Sequence, residues 1–490
     1  MGELLKTTAK GVTWTTLSAI ARNLVSLIQI TILARLLAKE DFGLIAMANV
    51  FVGFTQIFLD MGISVGILHH QNITKNEFSS LYWLNIFTGI FLAGTLMLLA
   101  PLFAQLNDAA QELTPIIRLL SLSIFFAAVG SQHRTVQQKE MRFKTLALID
   151  ISIALITLVT AILLAKRGAG VYSLVYSTLL GSITSSIIYL IVGLIKDRNI
   201  RLHFKIKETY SFLKIGVYQI GSSFLDYFSN EIDTLFIGSA FGNNTLGLYS
   251  LCKKIIIAAY NTINPIFTRV LTPLFAKIQK EKQHLKDFYL KLVESLCIIN
   301  FPVYFMISIF SYGILMFLYG EQYVAGSFVL SILALYYGIL TASNPVGSLQ
   351  VALGRTDIGF YWTIYRVSAT IVIVYIGSKF NVEIMVSLFL LMSILNTIIA
   401  WKIQIYKMIE LSFKSYIRVI LRPLMSSIII AIPFYVFFSK IFSIWLIVLL
   451  CMLFCIIYFI FARIAMKDSY LINLLNNIIN SKLKKIRTEV

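Results

Sequence analysis

The sequence predicts an all-α integral membrane protein with about 14 transmembrane helices. Of its 490 residues, 58% are hydrophobic and 13% are charged, whereas soluble domains carry about 25% charged residues. Apolar runs recur along the whole chain, and each is long enough to cross a bilayer as a helix. Because short strand-like alternation is absent from the sequence, the spans are helices and not the strands of a barrel.

Each apolar run marks one candidate span, and the connections between the runs are short. The fourteen runs lie near 11–35, 42–66, 80–104, 114–132, 145–165, 170–194, 211–238, 243–272, 289–316, 325–350, 357–378, 382–403, 417–438 and 441–463.

A pattern at the start of the chain recurs near its middle. Phe42-Gly43-Leu44 follows a short polar turn, and Leu246-Gly247-Leu248 follows a second one. An even number of spans separates the two copies, which predicts two six-helix lobes related by a pseudo-two-fold axis along the membrane normal. The predicted N-lobe covers 1–195, and the predicted C-lobe covers 211–404.

Three further segments complete the predicted organisation. A basic cytoplasmic linker, 196–210, joins the lobes, and two extra spans at 405–464 follow the C-lobe. The tail at 465–490 places apolar residues at helical spacing before a basic cluster. This pattern is typical of a helix that lies on an anionic membrane surface.

The net charge of +19 reports orientation rather than nucleic-acid binding. Thirty of the 42 Lys and Arg residues fall in connections on one side of the predicted membrane, and six fall on the other. Basic residues concentrate in cytoplasmic connections. Both termini are therefore predicted to be cytoplasmic.

Cysteines and histidines indicate neither a metal site nor a cofactor. The four cysteines lie within apolar runs, and the five histidines lie between spans. No phosphate-binding Gly-x-x-x-x-Gly-Lys-Ser/Thr loop occurs in the sequence, so ATP hydrolysis on this chain is not expected. These observations favour a secondary transporter over an enzyme.

Twelve ionisable residues fall within the predicted spans. A charge at the bilayer centre costs roughly 2.5–3.5 kcal/mol even on insertion scales, so each should face protein or water. They are Arg22, Arg118, Lys253, Lys254, Arg269, Arg366, Asp60, Asp150, Asp226, Glu231, Asp233 and Glu294.

Several segments together resemble a known family of exporters. They are KGVTWTTLSAIARNLVSLIQITILARLLAKEDFGLIAM at 10–47, Asp60-Met61-Gly62-Ile63, QKEMRF at 138–143, INPIFTRVLTPLFAKIQ at 263–279 and Asn344-Pro345-Val346-Gly347-Ser348. Their order and spacing are similar to those of the Wzx-type polysaccharide exporters of the multidrug/oligosaccharidyl-lipid/polysaccharide exporter superfamily. The colanic-acid exporter branch is the nearest likeness.

The resemblance implies a flippase of the bacterial inner membrane that exports surface polysaccharide. Its substrate would be an undecaprenyl-pyrophosphate-linked oligosaccharide, moved by alternating access. Membrane lipids would surround it, and a polysaccharide polymerase and chain-length machinery would be further partners. The sequence leaves two rivals open, which are a multidrug or lipid II exporter of the same superfamily and a membrane enzyme of polysaccharide assembly.

A pyrophosphate headgroup needs a polar, cationic cavity, because burying an isolated ion is very costly. The candidates for the cationic lining are Arg22, Lys253, Lys254 and Arg366. Each has an alternative: Arg22 could form a structural pair, the two lysines could reach the interface, and Arg366 could pair with Asp150.

The acids Asp150, Asp226 and Asp233 are candidates for ion coupling or gating. An offset of 204 residues, which relates Gly43 to Gly247, also relates Arg22 to Asp226, so these two could close a gate across the pseudo-two-fold axis. The alternative is that Arg22 and Asp226 each pair within their own lobe. For Asp233, the alternative is simple exposure. Prolines remove helical hydrogen bonds, which makes Pro265, Pro302 and Pro345 candidate hinges, although ordinary kinks are commoner.

Overall fold

A computed structural model of the chain describes residues 2–70, 72–106, 109–196, 200–439, 441, 443–469 and 471–472. Within these ranges, the side chains of 2–12, 110, 196, 215–219, 222 and 265–273 are not described. Most of the predicted tail at 465–490 lies outside the described residues.

Seventeen α-helices account for nearly all of the described chain. They are α1 (Gly2–Ala34), α2 (Lys39–Leu59), α3 (Ile63–His69), α4 (Lys75–Ala104), α5 (Ala110–Lys139), α6 (Phe143–Lys166), α7 (Tyr172–Lys196), α8 (Ile206–Ile278), α9 (Lys282–Ile309), α10 (Ser311–Leu318), α11 (Ser327–Thr341), α12 (Pro345–Ala352), α13 (Thr356–Gly377), α14 (Val382–Ala400), α15 (Tyr406–Ile409), α16 (Phe413–Phe438) and α17 (Ile444–Ala465). A 3₁₀ turn at Glu321–Gly326 precedes α11, and a π-helical turn at Trp401–Ile405 follows α14.

The predicted class, an all-α membrane protein, is confirmed. Within the described residues, 12 helical segments are long and apolar enough to cross a membrane. The two other predicted spans, 211–238 and 243–272, fall within α8, which is 73 residues long and breaks at Gly242. Gly242 has φ 75°, a left-handed conformation that glycine adopts without a Cβ clash.

The chain divides into two compact units, Met1–Leu251 and Cys252–Val490. The first unit includes the start of α8, because Phe212 packs against Ile63 and Ile67 of α3 and the Tyr227 hydroxyl donates to the Val50 carbonyl of α2 at 2.9 Å. The predicted lobes divide the chain differently, with this part of α8 in the C-lobe. The lobe limits therefore stay a prediction.

In the first unit, the helix pairs α4/α5, α5/α7, α1/α6 and α6/α7 pack side by side. In the second unit, α9 packs against both α11 and α16, and α16 packs against α17. Buried aromatic residues such as Tyr289, Phe301 and Tyr416 lie at the centre of the α9/α16 core. Each unit thus buries its own apolar core.

Helices α2 and α8 cross in backbone contact at the repeated glycines. A Cβ atom on Gly43 would lie 2.8 Å from the Cα of Asn243, and one on Gly247 would lie 2.8 Å from the carbonyl carbon of Lys39. These contacts are reciprocal, because Lys39 and Asn243 are separated by the same offset as the two glycines. The Asn244 side chain donates to Glu40 at 2.6 Å, and these residues are 204 apart in sequence. The repeat offset inferred from the sequence therefore relates residues that are in contact.

Candidate functional site

Asp150 on α6 is the centre of a charged cluster in the first unit. Its Oδ2 atom lies 3.5 Å from Arg22 Nη1 on α1 and 3.0 Å from Arg134 Nη2 on α5. Its Oδ1 atom accepts a hydrogen bond from the Tyr189 hydroxyl on α7 at 3.0 Å. Two guanidinium groups and one carboxylate give this cluster a formal charge of +1.

Exposure differs sharply within the cluster. The side chain of Asp150 is 13% exposed, whereas that of Arg22 is 45% exposed and that of Arg134 is 50% exposed. The carboxylate is thus largely buried among three partners, while each arginine side chain keeps a large accessible surface. Such an arginine can bind a second anion without losing all contact with its carboxylate.

Arg134 is a member of the cluster that the sequence analysis missed. The sequence predicts a span at 114–132, which places Arg134 in the connection after it, but α5 continues without a break to Lys139. Arg134 therefore lies on a helix and faces the same carboxylate as Arg22. The absence of Gly or Pro between 131 and 139 was the signal that the helix continued.

A cavity of about 470 Å³ adjoins the cluster, and Arg134 and Tyr189 line both. Seven of the fourteen residues that line it are serine or threonine. Five of them donate to backbone carbonyls of their own helices, and these are Ser131, Thr157, Ser177, Thr178 and Ser182. Because each hydroxyl already donates its one hydrogen bond, its oxygen can only accept a further one. These hydroxyl groups therefore suit water or a ligand that donates hydrogen bonds.

The two gating candidates on α8 have different surroundings. Asp233 is 8% exposed, and it accepts hydrogen bonds from the Thr234 amide at 2.8 Å and from the Tyr249 hydroxyl. Asp233 is therefore not simply exposed, which was one alternative for this residue. Asp226 is exposed, and its pairing with Arg22 stays a prediction.

Lys253 and Lys254 follow each other on α8, at the beginning of the second unit. Lys253 is 8% exposed and Lys254 is half-buried. Consecutive residues on an α-helix point about 100° apart. The two side chains therefore leave the helix in different directions.

Arg366 on α13 lies near a network of polar side chains in the second unit. The Tyr260 hydroxyl donates to Asn344 Oδ1 at 3.1 Å, and Asn344 Nδ2 donates to Asn264 Oδ1 at 2.6 Å. Arg366 is half-buried and within electrostatic reach of Tyr260. The two Asn-Pro pairs of the sequence thus meet through their asparagines, a contact that the sequence analysis did not foresee.

The candidate hinge prolines occupy three different settings. Pro302 is buried within the continuous helix α9. Pro345 is the first residue of α12, where it follows the break after α11 and where a missing amide hydrogen costs little. Pro265 lies within α8, and its side chain is outside the described residues. A hinge role for any of them stays a prediction.

Residues 32–327 match the model of the family described as "Polysaccharide biosynthesis protein". The chain belongs to this family. It is 29% identical over 419 residues to the lipopolysaccharide biosynthesis protein WzxC of Escherichia coli strain K12, with 84% of each chain covered. It is 27% identical over 428 residues to the teichuronic acid biosynthesis protein TuaB of Bacillus subtilis strain 168, with 86% of this chain and 87% of the relative covered.

Solved structures share the fold at lower identity. The lipid II flippase MurJ in an inward closed conformation matches with a TM-score of 0.76 at 16% identity, over 93% of this chain and 99% of that one. A multidrug resistance MATE family transporter in an inward-facing conformation matches with a TM-score of 0.60 at 14% identity, over 85% and 96%. The chain thus has the fold of the superfamily that the sequence resemblance indicated.

Proposed function

We propose that this chain is a secondary transporter that flips undecaprenyl-pyrophosphate-linked oligosaccharide units from the cytoplasmic to the outer leaflet for surface polysaccharide export. Its family and the names of its relatives support a role in polysaccharide assembly. A further relative, 22% identical over 431 residues, is a succinoglycan biosynthesis transport protein of Rhizobium meliloti. We further propose that the chain works by alternating access in the bacterial inner membrane, with both termini in the cytoplasm.

The observation that carries the proposal is the arrangement of Arg22, Asp150 and Arg134. A pyrophosphate group is a multivalent anion, and arginine binds phosphate with two parallel, charge-assisted hydrogen bonds. When Arg22 turns from Asp150 to a phosphate, Arg134 and Tyr189 still hold the carboxylate. No buried charge is stranded by this exchange, so its cost is low.

Asp150 has a definite task in this scheme. Before substrate arrives, it holds Arg22 by an ion pair of 3.5 Å, which fixes the position of the guanidinium. Such preorganisation lowers the entropy lost on binding. We assign Lys253, Lys254 and Arg366 as further cationic contacts for the headgroup. The prenyl chain would remain among the membrane lipids.

Gating in the proposed cycle is carried by acids. In a second conformational state, Arg22 would pair with Asp226, and either substrate phosphate or protonation of Asp226 would release that pair. Asp233 is the second candidate for ion coupling, because it is an acid with a tyrosine hydroxyl as its hydrogen-bond donor. Pro302 and Pro345 would serve as hinges, together with Pro265.

The proposal is tested by flipping in reconstituted vesicles. The purified chain is placed in vesicles that contain a fluorescent prenyl-pyrophosphate oligosaccharide, and impermeant dithionite bleaches the label that reaches the outer leaflet. The expected result is that dithionite bleaches more than half of the label when the protein is present and no more than half when it is absent. If the protein flips lipid II or exports a cationic dye but does not flip this substrate, the result would support the rival exporters and overturn the proposal.

Variants connect the activity to the site. Arg22→Ala and Arg366→Ala should insert normally, since loss of a deep charge relieves an insertion cost, but they should flip the lipid more slowly. Arg118→Ala is the matched control, because Arg118 is an exposed arginine on α5. Wild-type flipping by both Arg22→Ala and Arg366→Ala would contradict the cationic-cavity assignment.

A further inference from the structure

The linker segment, defined here as residues 200–210, exposes large apolar side chains between basic ones. Leu202 is 95% exposed, Ile206 is 66% exposed and Tyr210 is 70% exposed. Phe204 is exposed as well. Basic residues alternate with these side chains, and they are Arg201, Lys205 and Lys207. A cluster of exposed apolar residues commonly marks a binding surface.

Side chains at the start of α4 fix the backbone of this segment. The Arg201 amide donates to Ser79 Oγ at 3.0 Å, and the Lys205 amide donates to Ser80 Oγ at 3.0 Å. Trp83 Nε1 donates to the Arg201 carbonyl at 2.9 Å. The apolar side chains are therefore exposed on a segment whose position is set by hydrogen bonds.

A fourth hydrogen bond joins the segment to α4. Ser80 Oγ donates to Glu208 Oε2 at 2.7 Å, and His203 Nε2 lies 3.0 Å from the same carboxylate. The hydrogen bond from Ser80, followed by that from His203, lowers the pKa of Glu208 below its ordinary value. Glu208 is thus ionised and engaged at neutral pH, which leaves the basic residues as the accessible charges of the segment.

The segment lies beside a part of α4 that is itself apolar and exposed. The Phe204 ring is 5.7 Å from the Phe87 ring. Phe87 lies twelve residues beyond Lys75, the first residue of α4, which is about 18 Å along the axis at 1.5 Å per residue. Phe87, Ile90 and Phe91 are 52%, 52% and 70% exposed. Phe204 therefore extends the exposed apolar surface of a helix that is long and apolar enough to span a membrane.

We propose that the linker segment is a membrane-interface anchor that binds the anionic phospholipid surface of the leaflet beside it. Its apolar side chains enter the boundary of the hydrocarbon region, as those of interfacial segments do. Arg201, Lys205 and Lys207 bind the phosphate groups, and Trp83, which donates to the Arg201 carbonyl, is a residue type that is enriched at membrane–water interfaces. The charge and the continuous apolar surface together favour a lipid surface over a soluble partner.

The test places a fluorophore at the most exposed apolar position. Cys451 and Cys455 are replaced by alanine, Cys252 and Cys297 are buried, and Leu202→Cys is labelled in the full chain. Vesicles contain phosphatidylglycerol and a nitroxide lipid as quencher, and iodide is the aqueous quencher. The matched control is Gln283→Cys, an exposed polar position between Lys282 and His284.

The label at 202 should be quenched several-fold more by the nitroxide lipid than the label at 283, and less by iodide. Each basic residue near an anionic leaflet strengthens membrane binding roughly fivefold. Lys207→Gln should therefore lower the ratio of lipid-bound to unbound segment about fivefold, and Arg201→Gln with Lys205→Gln should lower it further. High salt should reproduce the loss, since it screens surface charge.

Three results would overturn the inference. The first is iodide quenching at 202 equal to that at 283. The second is lipid quenching that is unchanged when phosphatidylcholine replaces phosphatidylglycerol. The third is shielding at 202 that requires added inorganic pyrophosphate instead of anionic lipid, which would assign the basic residues to a soluble phosphate.

Discussion

Arg22 Nη1 lies 3.5 Å from Asp150 Oδ2, and the carboxylate that it contacts is bound to Arg134 and Tyr189 as well. An ion pair with a partly exposed arginine contributes little to stability by itself. The ion pair instead positions Arg22, which can exchange Asp150 for another anion while Asp150 keeps two partners. This relationship supports the proposal that α1 carries a phosphate-binding arginine.

Asp150→Asn should destabilise the protein, because it removes the charge that two guanidinium groups share. Hydrogen bonds to charged groups are worth about 1.5–3 kcal/mol, so we expect a loss of that size in the free energy of unfolding. Thermal unfolding in detergent measures it. Asp226→Asn, at an exposed position, is the control and should change stability less. Equal effects of the two substitutions would contradict the central place of Asp150.

A double-mutant cycle tests the proposed exchange of Arg22 between two acids. Arg22→Ala and Asp226→Ala should each impair flipping, and the double variant should be less impaired than the sum of the two effects. Contacting residues show such coupling, whereas distant ones are additive. The cycle of Arg22→Ala with Asp150→Ala should also be non-additive. A non-additive cycle with Asp150, together with a strictly additive cycle with Asp226, would contradict the proposed gate between Arg22 and Asp226.

The helix crossing at the repeated glycines should tolerate no side chain. Gly43→Ala places a Cβ 2.8 Å from the Asn243 backbone, and overpacking of this kind costs about 1–3 kcal/mol. The midpoint of thermal unfolding should therefore fall. Gly94→Ala on α4 is the matched control, since no atom lies within 4 Å of its added Cβ. It should raise the midpoint slightly, because alanine favours a helix. An unchanged midpoint for Gly43→Ala would show that the crossing can open at no cost.

Membrane orientation is tested by cysteine labelling. With both termini cytoplasmic, Glu321→Cys should react with an impermeant maleimide in intact cells, and Gln283→Cys should react only after the cells are opened. Both positions are exposed. Reversed labelling would invert the predicted orientation and place the linker segment at the outer leaflet.

The sequence predicted the spans well because a long apolar run has few alternatives to a membrane helix. It located Arg22 and Asp150 for the same reason, since a charge within such a run is conspicuous. Arg134 was missed because hydropathy falls before the helix ends, and the polar last turns of α5 resembled a connection. The hydrogen bond between Asn264 and Asn344 joins residues 80 apart, and nothing local in the sequence indicates a tertiary contact of this kind.

The most direct test of the central claim is the initial rate of flipping of a fluorescent prenyl-pyrophosphate oligosaccharide by Arg22→Gln. The substitution removes the charge and the bidentate contact with phosphate but keeps a shorter polar side chain that can still donate a hydrogen bond. We expect the rate to fall at least about tenfold, since a charge-assisted hydrogen bond is worth about 1.5–3 kcal/mol. Arg118→Gln, the matched control, should keep the wild-type rate. A wild-type rate for Arg22→Gln, or an equal loss for both variants, would contradict the claim that Arg22 binds the pyrophosphate.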